Sequence, residues 1–158
     1  GENYYLLTDA LMSSKEASRI MKEEKNNQRV FKMFDHVTIS VSGIGSFYPT
    51  EESVLASPEF MPTEDLEKLK QENVSGDIAL RFFDHDGQEC NTTLKERMIS
   101  ISIEQFKKID RKISLVSGVS KANAVLSALK GGLVDVLILD SNLAEALLKL
   151  SEDMPSQE

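Results

Sequence analysis

Apolar and polar positions alternate most legibly between Ile113 and Leu150. Ile113 to Val116 is an apolar run of strand length closed by Ser117-Gly118. Lys121 to Lys130 then sets Ala124, Val125, Ala128 and Leu129 on one helical face, with the Ser120 hydroxyl placed to cap it and Gly131-Gly132 to stop it. Val134 to Leu139 is a second apolar run, broken only by Asp135, and Asp140-Ser141-Asn142 caps a helix from Leu143 to Leu150. Strand, helix, strand, helix with short links predicts a βαβ unit in a parallel sheet covered on its faces.

Upstream the pattern is more broken. Tyr4 to Leu7 predicts a short buried strand. Ser13 or Ser14 predicts a helix start with Ala17, Ile20 and Met21 inward, and Glu16 completes a capping box with Ser13. Asn26-Asn27 interrupts before a second helix marked by Val30, Phe31 and Phe34, and Val37 to Val41 alternates as a strand. The stretch Phe47 to Pro62 reads as loop, with a short helix over Glu51 to Ala56, and Thr63 caps a helix with Leu66 and Leu69 inward. Ile78 to Phe83 predicts one strand, Asp84-His85-Asp86-Gly87 a tight reversal, and Gln88 to Asn91 its return arm. Met98 to Ile103 reads as a further strand and Glu104 to Ile109 as a short helix. Residues 151–158 read as a flexible polar tail.

Composition narrows the function. The 158 residues suit one domain, and 26 acidic against 18 basic residues give a formal charge of −8. With its lysines and arginines dispersed among acids, the chain is a poor match for nucleic acid or an anionic membrane. The single cysteine, Cys90, excludes an internal disulfide and a cysteine-based zinc site, and serves as reactive thiol or as filler. Asp84, His85 and Asp86 lack the further acids of a calcium loop and read as a polar hairpin tip. No metal or cofactor is expected, and a cytoplasmic location is the default. The chain opens on Gly1-Glu2-Asn3 and runs at once into apolar sequence, as a fragment of a longer protein would. Phe82, Phe83 and Leu94 look like surplus apolar surface and predict self-association.

Candidate chemistry lies where a strand gives way to a helix. Ser117-Gly118 followed by Ser120-Lys121 aims backbone N–H groups out of the sheet's C-terminal edge, where α/β sheets bind ligands and where helix starts favour anions. The alternative is that Ser120 only caps and Lys121 is solvated. Gly43 and Gly45 let the backbone approach a ligand or simply make a tight turn; a third glycine for a dinucleotide fingerprint is missing. Asp77 reads as a site carboxylate or as a turn residue.

In their order and spacing, YYLL at Tyr4 to Leu7, GIGS at Gly43 to Ser46, GDIALRFFDHDG at Gly76 to Gly87 and GVSKANAVLSALKGGLVDVLILD at Gly118 to Asp140 resemble the C-terminal part of the sugar-binding domain of SorC/DeoR-type bacterial transcription regulators. The resemblance implies an α/β fold, a Rossmann-like and mostly parallel sheet flanked by helices, akin to phosphosugar isomerases and deaminases, with a small β-hairpin insertion. It makes residues 1–150 the C-terminal part of an effector domain. It implies a phosphorylated sugar as ligand, with Asp77 near the sugar, Lys121 on the phosphate beside Gly118 and Ser120, and Gly43 and Gly45 along the same edge. Operator DNA would be contacted only through a separate helix-turn-helix domain. An earlier Rossmann-like portion would hold a further phosphate loop. Dimers or tetramers are implied, and no membrane. Two other functions stay open: a phosphosugar isomerase or deaminase-like enzyme using Asp77 and Lys121, and an interaction domain with a vestigial pocket.

Overall fold

The computed structural model describes residues 1–152. In chain order its elements are α1 (Lys15–Glu23), α2 (Lys25–Phe34), β1 (Ile39–Ser42), β2 (Gly45–Ser46), α3 (Thr63–Gln71), β3 (Val74–Ile78), β4 (Arg81–Asp84), α4 (Leu94–Arg97), α5 (Ile103–Lys107), β5 (Arg111–Val116), α6 (Ala122–Lys130), β6 (Val136–Leu139) and α7 (Ser141–Glu152). Single 3-10 turns cover Val54–Ala56 and Val119–Lys121. The expected tail from residue 151 begins inside α7 for its first two residues; residues 153–158 lie outside the described ones.

Three strands form a parallel sheet in the order β1-β5-β6, with Val41 opposite Ile113 and Ile113 opposite Val136. The helix between β5 and β6 forms as its apolar stripe predicts: Ala124, Val125 and Ala128 are fully buried. Gly132 takes φ +68° beyond its end, and the Leu133 N–H returns to the Ala128 carbonyl at 2.9 Å. Asp140 then caps α7 by accepting from the Leu143 N–H at 2.9 Å. The described residues cover only one face of this sheet. Ile39, Val41, Leu115 and Ile138 stand 49–67 % exposed on the other, while Ser40, Ser42 and Ser114 point to the covered side. The expectation of a sheet packed on both faces is therefore corrected. Right-handed crossovers that step the same way across a sheet lie on the same face. Here β1 to β5 and β5 to β6 step the same way, so the helices of these connections reach one side.

The second sheet is antiparallel, β2-β3-β4, and corrects a larger misreading. Ile78 to Phe83 is not one strand. Ala79 and Leu80, at φ +49° and +64°, turn the chain back so that Ile78 pairs with Arg81. The Asp84-to-Gly87 reversal forms too, with Gly87 at φ +69°, but its return arm makes only one bridge, Phe83 with Glu89. This sheet lies between two cores. Phe83 and Ile78 pack with Val125, Ala128 and Phe106, and Phe82 and Val74 with Leu69, Met61, Leu94 and Met98. Phe82, Phe83 and Leu94 are 4 %, 0 % and 0 % exposed, so the reading of these three as surplus apolar surface for self-association is corrected. Arg81 is buried with them. Its guanidinium donates to the carbonyls of Ile101 (2.7 Å), Lys95 (2.8 Å) and Ser100 (3.0 Å), and Glu89 balances its charge at 3.4 Å.

Other local expectations fail where a distant partner decides. Tyr4 to Leu7 pairs with no strand; Tyr5 and Leu7 are exposed, and the Leu7 N–H is taken by the Asn27 side chain at 3.0 Å. Asn27 does not interrupt a helix but sits buried within α2, donating to the Met21 carbonyl. Ser14, not Ser13, caps α1, so the capping box does not form; Glu16 pairs with Arg19, and Ile20 faces outward while Ser18 is buried. Pro62 holds the cap position of α3, with Thr63 already helical. Met98 to Ile103 is apolar core without being a strand: Met98 makes a lone bridge to Leu11 and the chain enters α5 at Ile103. Cys90 is buried filler, and burial pushes its thiol up to about 12.

Candidate functional site

The two sheets meet at the C-terminal end of β1. There Gly43-Ile44 carries the chain from the parallel sheet into β2, and Gly45 pairs with Asp77 of β3. An open cleft of about 390 Å³ lies at this seam, walled by Gly43, Gly45, Asp77 and Lys121, by Leu80 of the positive-φ turn, and by the segment Glu52 to Leu55. A hollow of similar size, about 380 Å³, lies away from it at Leu7, Met21 and Asn27.

Of the six residues the sequence singles out, the fold brings Gly43, Gly45, Asp77 and Lys121 into one cleft. Asp77 is the half-buried carboxylate of the group. Burial pushes its pKa up to about 6, against the opposing pull of the Ser53 hydroxyl, which donates to Oδ1 at 2.5 Å, and of the Lys121 ammonium. Gly45 is required by this pair rather than by a ligand: a Cβ there would lie 1.9 Å from Asp77 Oδ1 and 2.7 Å from Ser53 Oγ. Gly43 is unconstrained by comparison, its nearest neighbour being the Leu115 carbonyl at 3.8 Å.

Gly118 and Ser120 are placed differently from expectation. The Gly118 N–H is not free; it donates to Asp140 Oδ2 at 2.8 Å, and with the bonds from Leu143 and Ser117 this holds the Asp140 carboxyl below its usual range. Ser120 caps no helix. α6 starts one residue later than expected, with Lys121 in the cap position and no side-chain cap, and the Ser120 hydroxyl donates to Glu52 Oε2. Sequence reasoning missed Glu52, Ser53 and Asp140 as parts of this region. The one available signal is the polar trio Glu51-Glu52-Ser53 shortly after the glycine loop; nothing local shows that its members reach residues 24 and 68 positions away.

The cleft can thus offer an ammonium, a half-buried carboxyl whose pKa is raised to about 6, and serine hydroxyls. Chemically, that set is suited to a polar, hydroxyl-bearing ligand with an anionic group. No helix of the described residues is long and apolar enough to cross a membrane.

Comparison with known proteins agrees with the architecture. The family described as "Putative sugar-binding domain" matches residues 1–149. The deoxyribonucleoside regulator of Bacillus subtilis is 26 % identical over 144 residues, 91 % of this chain and 45 % of that protein. The sorbitol operon regulator of Klebsiella pneumoniae is 27 % identical over 127 residues, 80 % of this chain and 40 % of its own length. The structure of a DeoR family transcriptional regulator from Listeria monocytogenes superposes with a TM-score of 0.82 at 31 % identity, covering 90 % of this chain and 57 % of that one. The chain spans less than half the length of these two sequence relatives. It belongs to that "Putative sugar-binding domain" family, and the relatives it matches are named as transcriptional regulators.

Proposed function

We propose that this chain is the effector-binding part of a transcriptional regulator: it takes a phosphorylated sugar in the cleft between its two sheets and alters the grip of a separate DNA-binding domain. The observation that supports this most directly is the convergence of Asp77 and Lys121 on one cleft at the sheet edge. Lys121 and the start of α6 suit a phosphate, to which an ammonium and helix-start N–H groups are both attracted. Asp77, with a second oxygen left by its bond to Ser53, suits sugar hydroxyls. The relatives bear the names of regulators, two of them of a sorbitol operon and of deoxyribonucleosides, and their names accord with a sugar-like effector. We assign Asp77 and Lys121 to binding rather than to isomerase-type chemistry. The net charge of −8 leaves DNA contact to another domain.

Lys121→Ala tests the assignment. Removing the ammonium while keeping the backbone should weaken binding of a phosphorylated sugar by about 1.5–3 kcal/mol. Melting temperature without ligand should barely move, a surface lysine being worth within about 0.5 kcal/mol. Titration calorimetry across a panel of pentose and hexose phosphates reads both; undiminished affinity in the variant would remove Lys121 from the site.

A further inference from the structure

Glu52 stands in the wall of the same cleft. Its N–H and that of Ser53 both donate to the Ser46 carbonyl, at 2.9 and 3.0 Å, which fixes the backbone from which both side chains project. Ser53 reaches Asp77. Glu52 reaches the other way: Oε2 accepts the Ser120 hydroxyl at 2.5 Å, and Oε1 lies 3.5 Å from the Thr50 hydroxyl. Ser120 immediately precedes Lys121, and α6 opens at the next residue. A carboxylate of the protein's own therefore already holds a hydroxyl donor at the spot where the helix start and the lysine favour an anion.

We propose that Glu52 is a resident competitor for the ligand's anionic group, and must leave Ser120 when a phosphate binds at the start of α6. The inference rests on reading the cleft as a phosphate-binding one. A phosphate dianion and an ionised carboxylate repel when forced onto one donor set. A neutral sugar carries no charge for Glu52 to repel. Glu52 thereby sets a threshold: weakly held anions are refused, and a phosphate enters only when Lys121 and the backbone donors together outbid the carboxylate. Glu52 is a specificity-determining residue for this site, acting by charge rather than by shape.

Glu52→Gln keeps the size of the side chain and its ability to accept from Ser120 while removing the charge. Inorganic phosphate is titrated into the wild-type chain and the variant at pH 7.5, with ribose as neutral control. The expected result is about tenfold tighter phosphate binding in the variant, equivalent to about 1.4 kcal/mol, shrinking as salt is raised, with ribose binding unchanged. Equal or weaker phosphate binding in the variant, when wild type binds phosphate, overturns the role of Glu52 and leaves the phosphate reading standing. Absence of phosphate binding in both proteins overturns the phosphate reading itself, and this inference with it. Lys121→Ala on the Glu52→Gln background completes the test: it should abolish the gain, and a gain that survives places the anion elsewhere and overturns both.

Discussion

The two sheets of this chain have the same number of strands and opposite relations to their surroundings. The antiparallel sheet is the smaller, yet it is enclosed on both faces, Phe83 facing α6 and α5 while Phe82 faces α3 and meets Phe47 edge-on at 5.7 Å. The parallel sheet holds the clearest strand sequences of the chain and is enclosed on one face only. Its alternation is in part reversed: Ile39, Val41, Leu115 and Ile138 face out, Val116, Leu137 and Leu139 pack on the core, and the hydroxyls of Ser40, Ser42 and Ser114 are buried without a hydrogen-bond partner among the described residues. An apolar strand sequence therefore says that a strand forms, not which of its faces the chain's own helices will cover. Coverage follows from the direction in which successive crossovers step. The cleft lies at the seam of these two sheets, and its residues inherit both conditions: Asp77 sits on the enclosed sheet and is desolvated, while Gly43 follows the open one.

Three substitutions would break or sharpen this contrast. The largest effect is expected at the centre of the enclosed sheet, where Phe83→Ala removes a fully buried ring and should cost about 3–5 kcal/mol. Chemical denaturation measures it, and a loss below about 1 kcal/mol would mean that the small sheet is not the load its burial implies. At the seam, the sign depends on pH. Asp77 has a folded pKa of about 6, above its ordinary 3.8, so the folded state binds the extra proton. The stability this group contributes is complete below about pH 4 and is lost as pH rises through about 6. Asp77→Asn, which cannot ionise, should therefore stabilise the chain by ~2–3 kcal/mol at pH 7.5 and leave it nearly unchanged at pH 4. Melting curves at the two pH values decide it; an equal shift at both would show that the carboxyl is not held out of its ordinary range. The smallest effect is expected on the open face. Val41→Ser, at a position 67 % exposed, should change stability by no more than about 0.5 kcal/mol. A loss of several kcal/mol there in urea titrations would show that the face is covered in solution.

Much of the fold could be read directly from residues 111–150, because the features that define its elements are local: strand length, a helical stripe, Gly132 as a stop and Asp140 as a cap lie within a few residues of what they control. The misread places share one cause. Ala79-Leu80 turns the chain without glycine, asparagine or proline, because the two cores on either side of β3 and β4 hold the strands together. Met98 to Ile103 is apolar because it fills the space between elements rather than because it pairs. Asn27 looks like a helix breaker and is instead a buried link between Leu7 and Met21.

For the site the division is similar. Sequence alone determined that a helix opens beside Lys121 after a strand and that a glycine loop ends another, since both follow from patterns a few residues long. It also fixed the charge that argues against nucleic acid. Only the tertiary structure decided that Asp77 would lie over Gly45 beside Ser53, that the Gly118 N–H would be claimed by Asp140, and that Ser120 would meet Glu52 instead of capping its helix. The physical reason is range. Caps, turns and stripes are settled by neighbours along the chain. A side chain's pKa and partners are settled by whatever packing brings within 3 Å, and here those partners lie 22 to 68 residues apart.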